Sequence, residues 1–382
     1  MSELNLAIDL GTTNIEILLF DVASNKTIGR KSFHNRQSLY GMDVINRINA
    51  CTKNNDNIPK LKKLACNDIY DNLNEIICKY NESNAEEVYL GDIKYAVFSG
   101  NTTMISILLE HDISTLGFSP YKHILSKSKI VNSRYIFGDD TKLNCDCLML
   151  GCMSAFVGGD IISGCVYLEK ICKEFDDKHI SLFLDLGTNG EMVLNNKGKL
   201  SVTSAACGPA FESSFVKCNA FGSSLLDAIC MGLKLGKIDT YGILKEEYID
   251  SGLNIMNIKI NQDILRQILL AKAAIATGIY FLCKKAFVSY EDIDKLYISG
   301  GFGFNLNMES ASLLGLIPDT LCKKAYVYDN TSLFGAKSIC LDKDLINKLT
   351  VYDDNSSIDV LLLANMDNYQ EKLVEYMKFT QI

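Results

Sequence analysis

The sequence predicts an α/β protein in which one strand–turn–strand signature is used twice. Leu6 to Phe20 reads L-A-I-D-L-G-T-T-N-I-E-I-L-L-F, and Ser181 to Leu194 reads S-L-F-L-D-L-G-T-N-G-E-M-V-L. A length of 382 residues fits two to three domains or lobes. Segments of helical apolar spacing, such as Leu61, Leu64, Ile69, Leu73, Ile76 and Ile77, alternate with short apolar strands such as Tyr95 to Phe98. A single D-L-G-T between strands is only a hairpin. Two copies in the same strand frame are a pattern.

Taken in order, Leu4 to Phe20 reads as the first hairpin, and Asp21 to Lys31 carries on into a third strand. Arg36 to Ile48 leads from a loop into a helix, and polar Asn49 to Asp56 reads as a loop before the helix of Ile58 to Tyr80. After the strand at Tyr95, S-G-N-T-T-M opens a helix with Thr102 or Thr103 as its cap. Gly117 to Asn144 carries few patterns and reads as loops facing a substrate. Cys147 to Leu168 runs into a helix whose Gly158, Gly159 and Gly164 permit close approach of another helix, as a crossing between two lobes requires. The second hairpin follows. Gly208-Pro209 marks a turn or helix start, with Glu212 in its first turn. Phe221 to Leu235 and Gln262 to Phe287 read as helices, and Lys295 to Asn305 as a strand ending in glycines. Tyr326 to Leu341 is strand, turn and small-residue helix; Ile358 to Met366 is a strand, and Tyr369 to Phe379 is helical.

Composition narrows the function classes. Hydrophobic content of 48% and charged content of 22% are those of an ordinary globular protein. A net charge of −8 and the absence of a basic run argue against nucleic acid as a partner. The N-terminus lacks a signal-peptide pattern, and no run is expected to serve as a transmembrane helix, so a cytoplasmic location is expected. Fourteen cysteines are scattered through apolar runs without a C-x-x-C, which fits buried thiols. The densest group is Cys145, Cys147 and Cys152, and the four histidines stand apart.

The chemistry concentrates at the two turns. Gly11, Thr12 and Thr13 in the first, and Gly187, Thr188, Asn189 and Gly190 in the second, offer backbone N–H groups to a phosphate. The carboxylates of Asp9 and Asp185 suit a hydrated Mg2+. Glu212 suits a place near Mg2+ or simple compensation of a helix dipole. Gly300, Gly301 and Gly303 after a buried strand suit a nucleotide base or ribose passing close to the backbone.

The order of these parts resembles the actin, sugar-kinase and heat-shock ATPase superfamily. The resemblance implies a two-lobed actin-like ATPase (ribonuclease H-like) fold, with ATP and Mg2+ in an interlobe cleft. The implied lobes are residues 1–168 plus 344–382 and residues 169–343. More narrowly, Y-G-M-D-V-I-N-R-I, G-N-T-T-M, V-G-G-D-I, D-L-G-T-N-G-E, G-P-A-F-E, L-A-K-A-A-I, I-S-G-G-F-G and N-T-S-L-F-G-A look like the ASKHA portion of the reductive activators of corrinoid proteins. They fall in that family's order over nearly the whole chain.

That family couples ATP hydrolysis to reduction of Co(II) corrinoid to Co(I) in a methyl-transfer protein. Carried over, Asp9, Thr12 and Thr13 lie at the phosphates in one lobe, and Asp185, Thr188, Asn189 and Glu191 in the other. Asp9 and Asp185 hold Mg2+ through water, and Gly208 belongs to the nucleotide-binding set. Gly300, Gly301 and Gly303 flank adenosine, with Lys272 as a further contact. Asp9, Asp185 and Glu212 are the carboxylates available to orient the attacking water. Relatives carry an iron–sulfur domain, usually N-terminal to this unit; no cluster spacing exists in these 382 residues, so no iron–sulfur cluster is expected in this chain. A related activator type shares a cluster between two subunits and would need Cys145, Cys147 or Cys152 as ligands. Ser224 stands where the family has a glycine. The expected partners are a corrinoid protein, a separate electron donor and a second copy of the chain. The alternatives are a small-molecule kinase of the same superfamily and a non-redox reactivation factor for a cobalamin-dependent protein.

Overall fold

A computed structural model describes residues 3–122, 124–207, 222–342, 344–353 and 358–382. In chain order the first elements are strands β1 (Leu4–Leu10), β2 (Asn14–Asp21) and β3 (Thr27–His34), and helices α1 (Val44–Lys53) and α2 (Asn57–Ser83). Next come β4 (Ile93–Gly100), α3 (Thr102–Leu108), β5 (Lys129–Asn132), α4 (Ser133–Phe137), β6 (Asp146–Met149) and α5 (Gly159–Ile171). The second half opens with β7 (Ile180–Leu186), β8 (Gly190–Asn196), β9 (Lys199–Ala205), α6 (Gly222–Lys234), β10 (Leu253–Ile255), β11 (Ile258–Ile260) and α7 (Gln262–Ala286). It continues with β12 (Lys295–Ser299), α8 (Met308–Leu313), α9 (Asp319–Cys322) and β13 (Ala325–Val327). The chain ends with α10 (Thr331–Leu341), α11 (Asp344–Asp353), β14 (Ile358–Leu361) and α12 (Tyr369–Glu375).

Two compact units result, residues 1–171 with 331–358, and residues 172–330 with 359–382. The first carries a six-stranded sheet in the order β3-β2-β1-β4-β6-β5, the second one in the order β13-β12-β7-β8-β9-β14. The same plan appears twice. A three-stranded antiparallel meander, β1-β2-β3 or β7-β8-β9, is joined on its first strand by a parallel strand, β4 or β12. Another parallel strand, β6 or β13, then follows. Because β1 and β7 are central in their sheets, nearly all their residues are buried, which explains why both are mostly apolar.

The expected division of the chain is corrected at two places. Helix α10 belongs to the first unit: Asn5 donates Nδ2 to the Cys340 carbonyl (3.1 Å), and Gly335 lies hard against Ser163 of α5. The tail from 359 onward belongs to the second unit. Thr203 Oγ1 donates to the Leu361 carbonyl (2.8 Å), β14 adds to the edge at β9, and Tyr376 packs on Ala273 and Ala276 of α7.

Local differences have local causes. Helix α1 runs through Lys53, into the stretch expected to be loop, because Ile48 and Cys51 continue its buried face. The helix cap at the end of β4 is Asn101, whose side chain accepts from Met104 N (3.0 Å), and not Thr102 or Thr103. Thr102 instead donates to the Ser154 carbonyl (2.7 Å). The weakly patterned stretch after Gly117 contains β5 and α4, with β5 pairing antiparallel to β6. Cys147 lies in strand β6, and the helix expected at V-G-G-D-I begins at Gly159. Helix α7 is long and apolar enough to cross a membrane by length and composition, contrary to the expectation that no run would be; 72% of its apolar window is buried, as in a core helix. Cys145, Cys147 and Cys152 are all buried. Gly208 and Glu212 lie outside the described residues.

Candidate functional site

Each unit builds the same acidic strand end. In the first, Asp9 on β1 stands opposite Glu16 on β2 and beside Ser99 on β4. In the second, Asp185 on β7 stands opposite Glu191 on β8 and beside Ser299 on β12. Residues directly across a ladder share a face, so each aspartate has a glutamate on one side and a serine hydroxyl on the other. Each serine is followed by glycine, in F-S-G-N and I-S-G-G. Only the D-L-G-T half of this repeat was read from the sequence. The S-G half was the available signal for Ser99 and Ser299.

The hydroxyls are put to parallel use. Ser99 Oγ donates to the Gly159 carbonyl at the head of α5 (3.2 Å), and Ser299 Oγ to the Asp329 carbonyl (2.8 Å). In the first unit Ser332 Oγ donates to Asp9 Oδ1 (2.8 Å) and lies 2.7 Å from Ser99 Oγ. Glu16 is paired with Arg30 Nε at 2.5 Å. The sequence reading did not identify Asp160, at the start of α5. Burial and the neighbouring Asp9 carboxylate push the Asp160 carboxyl up to about 7. Its signal was V-G-G-D-I, an acid in the first turn of a crossing helix. Gly158 permits this junction, since a Cβ there would lie 2.5 Å from Asn101 Cα.

The turns differ in detail. Four residues, Gly11 to Asn14, separate the last ladder pair of the first hairpin, Leu10 and Ile15. Three residues, Gly187 to Asn189, separate Leu186 and Gly190 in the second. A Cβ on Gly11 would meet Asn14 O at 2.5 Å, so the tighter packing at this turn requires glycine. Gly187 has open space where a Cβ would be. Thr12 is buried, and its Oγ1 accepts from Asn101 Nδ2 (2.9 Å), so its hydroxyl is turned inward; Thr13, Thr188 and Asn189 are half-buried. Glu191 is buried.

The glycines after β12 separate into different roles. Gly300 has φ +90°, and a Cβ there would lie 2.5 Å from Asp185 Oδ1, so its close neighbour is the second turn's own strand. Gly301 faces open space, and Gly303 packs against Ile298 and Leu186. Lys272, expected as an adenosine contact, has a protein partner in the structure. It is 1% exposed, and its Nζ donates to the Lys378 carbonyl (2.8 Å) under the C-terminal segment. Burial, with Lys378 nearby, lowers its pKa to about 7.

The donor chemistry fits Mg2+. Asp9 with Asp160, and Asp185 with Glu191, are hard oxygen groups of the kind Mg2+ takes, and the Asp160 carboxyl is raised by burial and by the Asp9 carboxylate beside it. Duplicated meanders carrying Asp-Leu-Gly-Thr turns define the two-lobed actin-like ATPase class.

Comparison with known proteins narrows that class. The family model for the RACo middle region matches residues 4–171, and that for the C-terminal domain of RACo, the ASKHA domain, matches residues 179–229 and 219–382. The chain belongs to the RACo family. It is 27% identical over 375 residues to the corrinoid activation enzyme RamQ of Eubacterium limosum, covering 82% of this chain and 60% of RamQ. It is 20% identical to the [Co(II) methylated amine-specific corrinoid protein] reductase of Methanosarcina barkeri, over 98% of this chain and 77% of that protein. A solved reductive activator for corrinoid, iron–sulfur protein superposes with a TM-score of 0.86 at 27% identity, over 100% of this chain and 66% of the activator. The chain thus spans about 60% of RamQ and 66% of the solved activator.

Proposed function

We propose that the chain binds and hydrolyses Mg·ATP through its two turns and spends that energy on activating a corrinoid protein of a methyltransferase system. Membership of the RACo family supports the corrinoid protein as target, and the duplicated Asp–Glu–Ser strand end supports the nucleotide. The reaction is ATP plus water to ADP and phosphate, coupled to one-electron reduction of Co(II) to Co(I). The electron comes from a separate donor protein. A cytoplasmic homodimer is the state we assign.

Catalysis of phosphoryl transfer rests on positioning and charge neutralisation. Bound Mg2+ would supply the neutralising charge at the phosphate oxygens. Asp9 and Asp185 would hold it through water, and the turn amides of Gly11 to Thr13 and of Thr188 to Gly190 would hold phosphate oxygens, the Gly187 N–H being given to the Asn189 carbonyl (2.9 Å). Gly301, with open space beside it, is available to adenosine. Ser332 and Ser99 fix the Asp9 rotamer through the chain of hydroxyls described above. Asp160, which starts its helix beside Asp9, would join Asp9 and Asp185 as a carboxylate available to orient water. Glu212 keeps its place in the proposal from sequence alone.

The carrying observation is the acidic strand end built twice. Asp185→Ala should abolish Mg2+-dependent ATP hydrolysis, with the circular-dichroism spectrum unchanged. Full hydrolysis by that variant would remove the two-turn assignment.

A further inference from the structure

The first turn is braced from behind by a buried cation. Arg47 of α1 is fully buried. Its Nη2 donates to the Thr12 carbonyl (2.6 Å), Nε to the Gly41 carbonyl (2.9 Å), and Nη1 to Gln37 Oε1 (3.1 Å), with Met104 Sδ at 3.0 Å from Nη1. Among the described residues no carboxylate lies within ion-pair distance of it. The nearest acid in sequence, Asp43, is committed at the surface to the Asn46 backbone N and Nδ2, both at 2.7 Å. Burial lowers the guanidinium's pKa to about 10, against the pull of the Asp43 charge, so it stays charged at neutral pH. A buried charge with no carboxylate in direct contact is costly to hold.

The neighbouring carbonyls are held the same way. The Gly11 carbonyl accepts from Asn35 Nδ2 (2.9 Å), and the Thr13 carbonyl from Asn35 N (2.9 Å). The carbonyls of Gly11, Thr12 and Thr13 are therefore tied back. In a trans peptide the N–H points opposite to its carbonyl, so the amides of Thr12 and Thr13 face away from the brace. A turn held in this way, with a positive charge behind it, suits an anion.

We propose that Arg47 is a positioning residue for polyphosphate: it fixes the Thr12 peptide and supplies a buried positive charge that a bound phosphate chain balances. This rests on the nucleotide reading above. Its energetic signature is selective, since adenosine carries no charge to balance.

The test is equilibrium titration of the full chain with Mg·ATP, Mg·ADP and adenosine, for wild type, Arg47→Met and Arg47→Lys, with thermal melting to confirm folding. Losing a buried charged hydrogen bond should weaken ATP and ADP binding about tenfold or more in Arg47→Met, with adenosine affinity within about threefold of wild type. Arg47→Lys keeps the charge and should recover part of the loss. Should Arg47→Met not fold, Arg47→Lys carries the test, with ATP weakened and adenosine unchanged. Equal losses for adenosine and ATP, or ATP affinity unchanged in the folded variants, would overturn the proposal while leaving the nucleotide site standing. Failure of the wild-type chain to bind ATP would overturn both.

Discussion

At the scale of single residues, charge and burial separate side chains that look alike in sequence. Asp9 and Asp185 stand where the repeated D-L-G-T placed them, because a strand end fixes its last residue by register. Lys272 shows the opposite case. An amine on an apolar helix can reach a ligand or a carbonyl, and only the folded C-terminal segment decides between them. Its pKa of about 7 makes a prediction with a definite sign. Between about pH 7 and 10 the unfolded chain holds this proton and the folded chain does not, so stability rises with pH across that window. The burial penalty is complete below about pH 7 and vanishes above the ordinary lysine value. Lys272→Met should flatten that rise by roughly a few kcal/mol, read as the difference in melting temperature between pH 7 and 10 for the two proteins. An identical pH slope in both would show that this amine does not titrate abnormally.

At the scale of elements, the physical content of the motifs lies in close approaches. The string Y-G-M-D-V-I-N-R-I carries the family resemblance, and four of its residues have a mechanical reason in the fold. Gly41 must be small because a Cβ would sit 2.7 Å from Arg47 N. Asp43 caps α1, Arg47 braces the Thr12 peptide, and Ile48 enters the core. These roles were not legible in advance, because they join a helix to a turn more than thirty residues away. Helices α5 and α10 show the same limit. Their small residues announced a close crossing, but the partner of each is the other, within one unit. A Cβ on Gly335 would lie 1.9 Å from Ser163 O. Gly335→Ala gains about 1 kcal/mol in helix propensity, but the clash with backbone costs more, about 1–3 kcal/mol or above. The net result should be a lower melting temperature. A higher one would mean that α5 yields without cost.

At the scale of the whole molecule, duplication organises both fold and site. Two meanders, each flanked by a parallel strand ending in Ser-Gly, give two acidic strand ends of one design. The D-L-G-T repeat revealed half of this plan because local turn chemistry is written in consecutive residues. The destination of the tail and of α10 was not visible, since strand addition at an edge and helix packing across a sheet depend on distant surfaces. Membership of the RACo family then directs attention to a corrinoid protein, and the carboxylates and braced turn to ATP. The most direct measurement is ATP hydrolysis by the purified chain, with and without a Co(II) corrinoid protein and an external reductant, while the cobalt spectrum is followed in the same cuvette. Stimulated hydrolysis together with the appearance of Co(I) is the predicted result. Hydrolysis indifferent to the corrinoid protein, with cobalt remaining Co(II), would contradict the assignment.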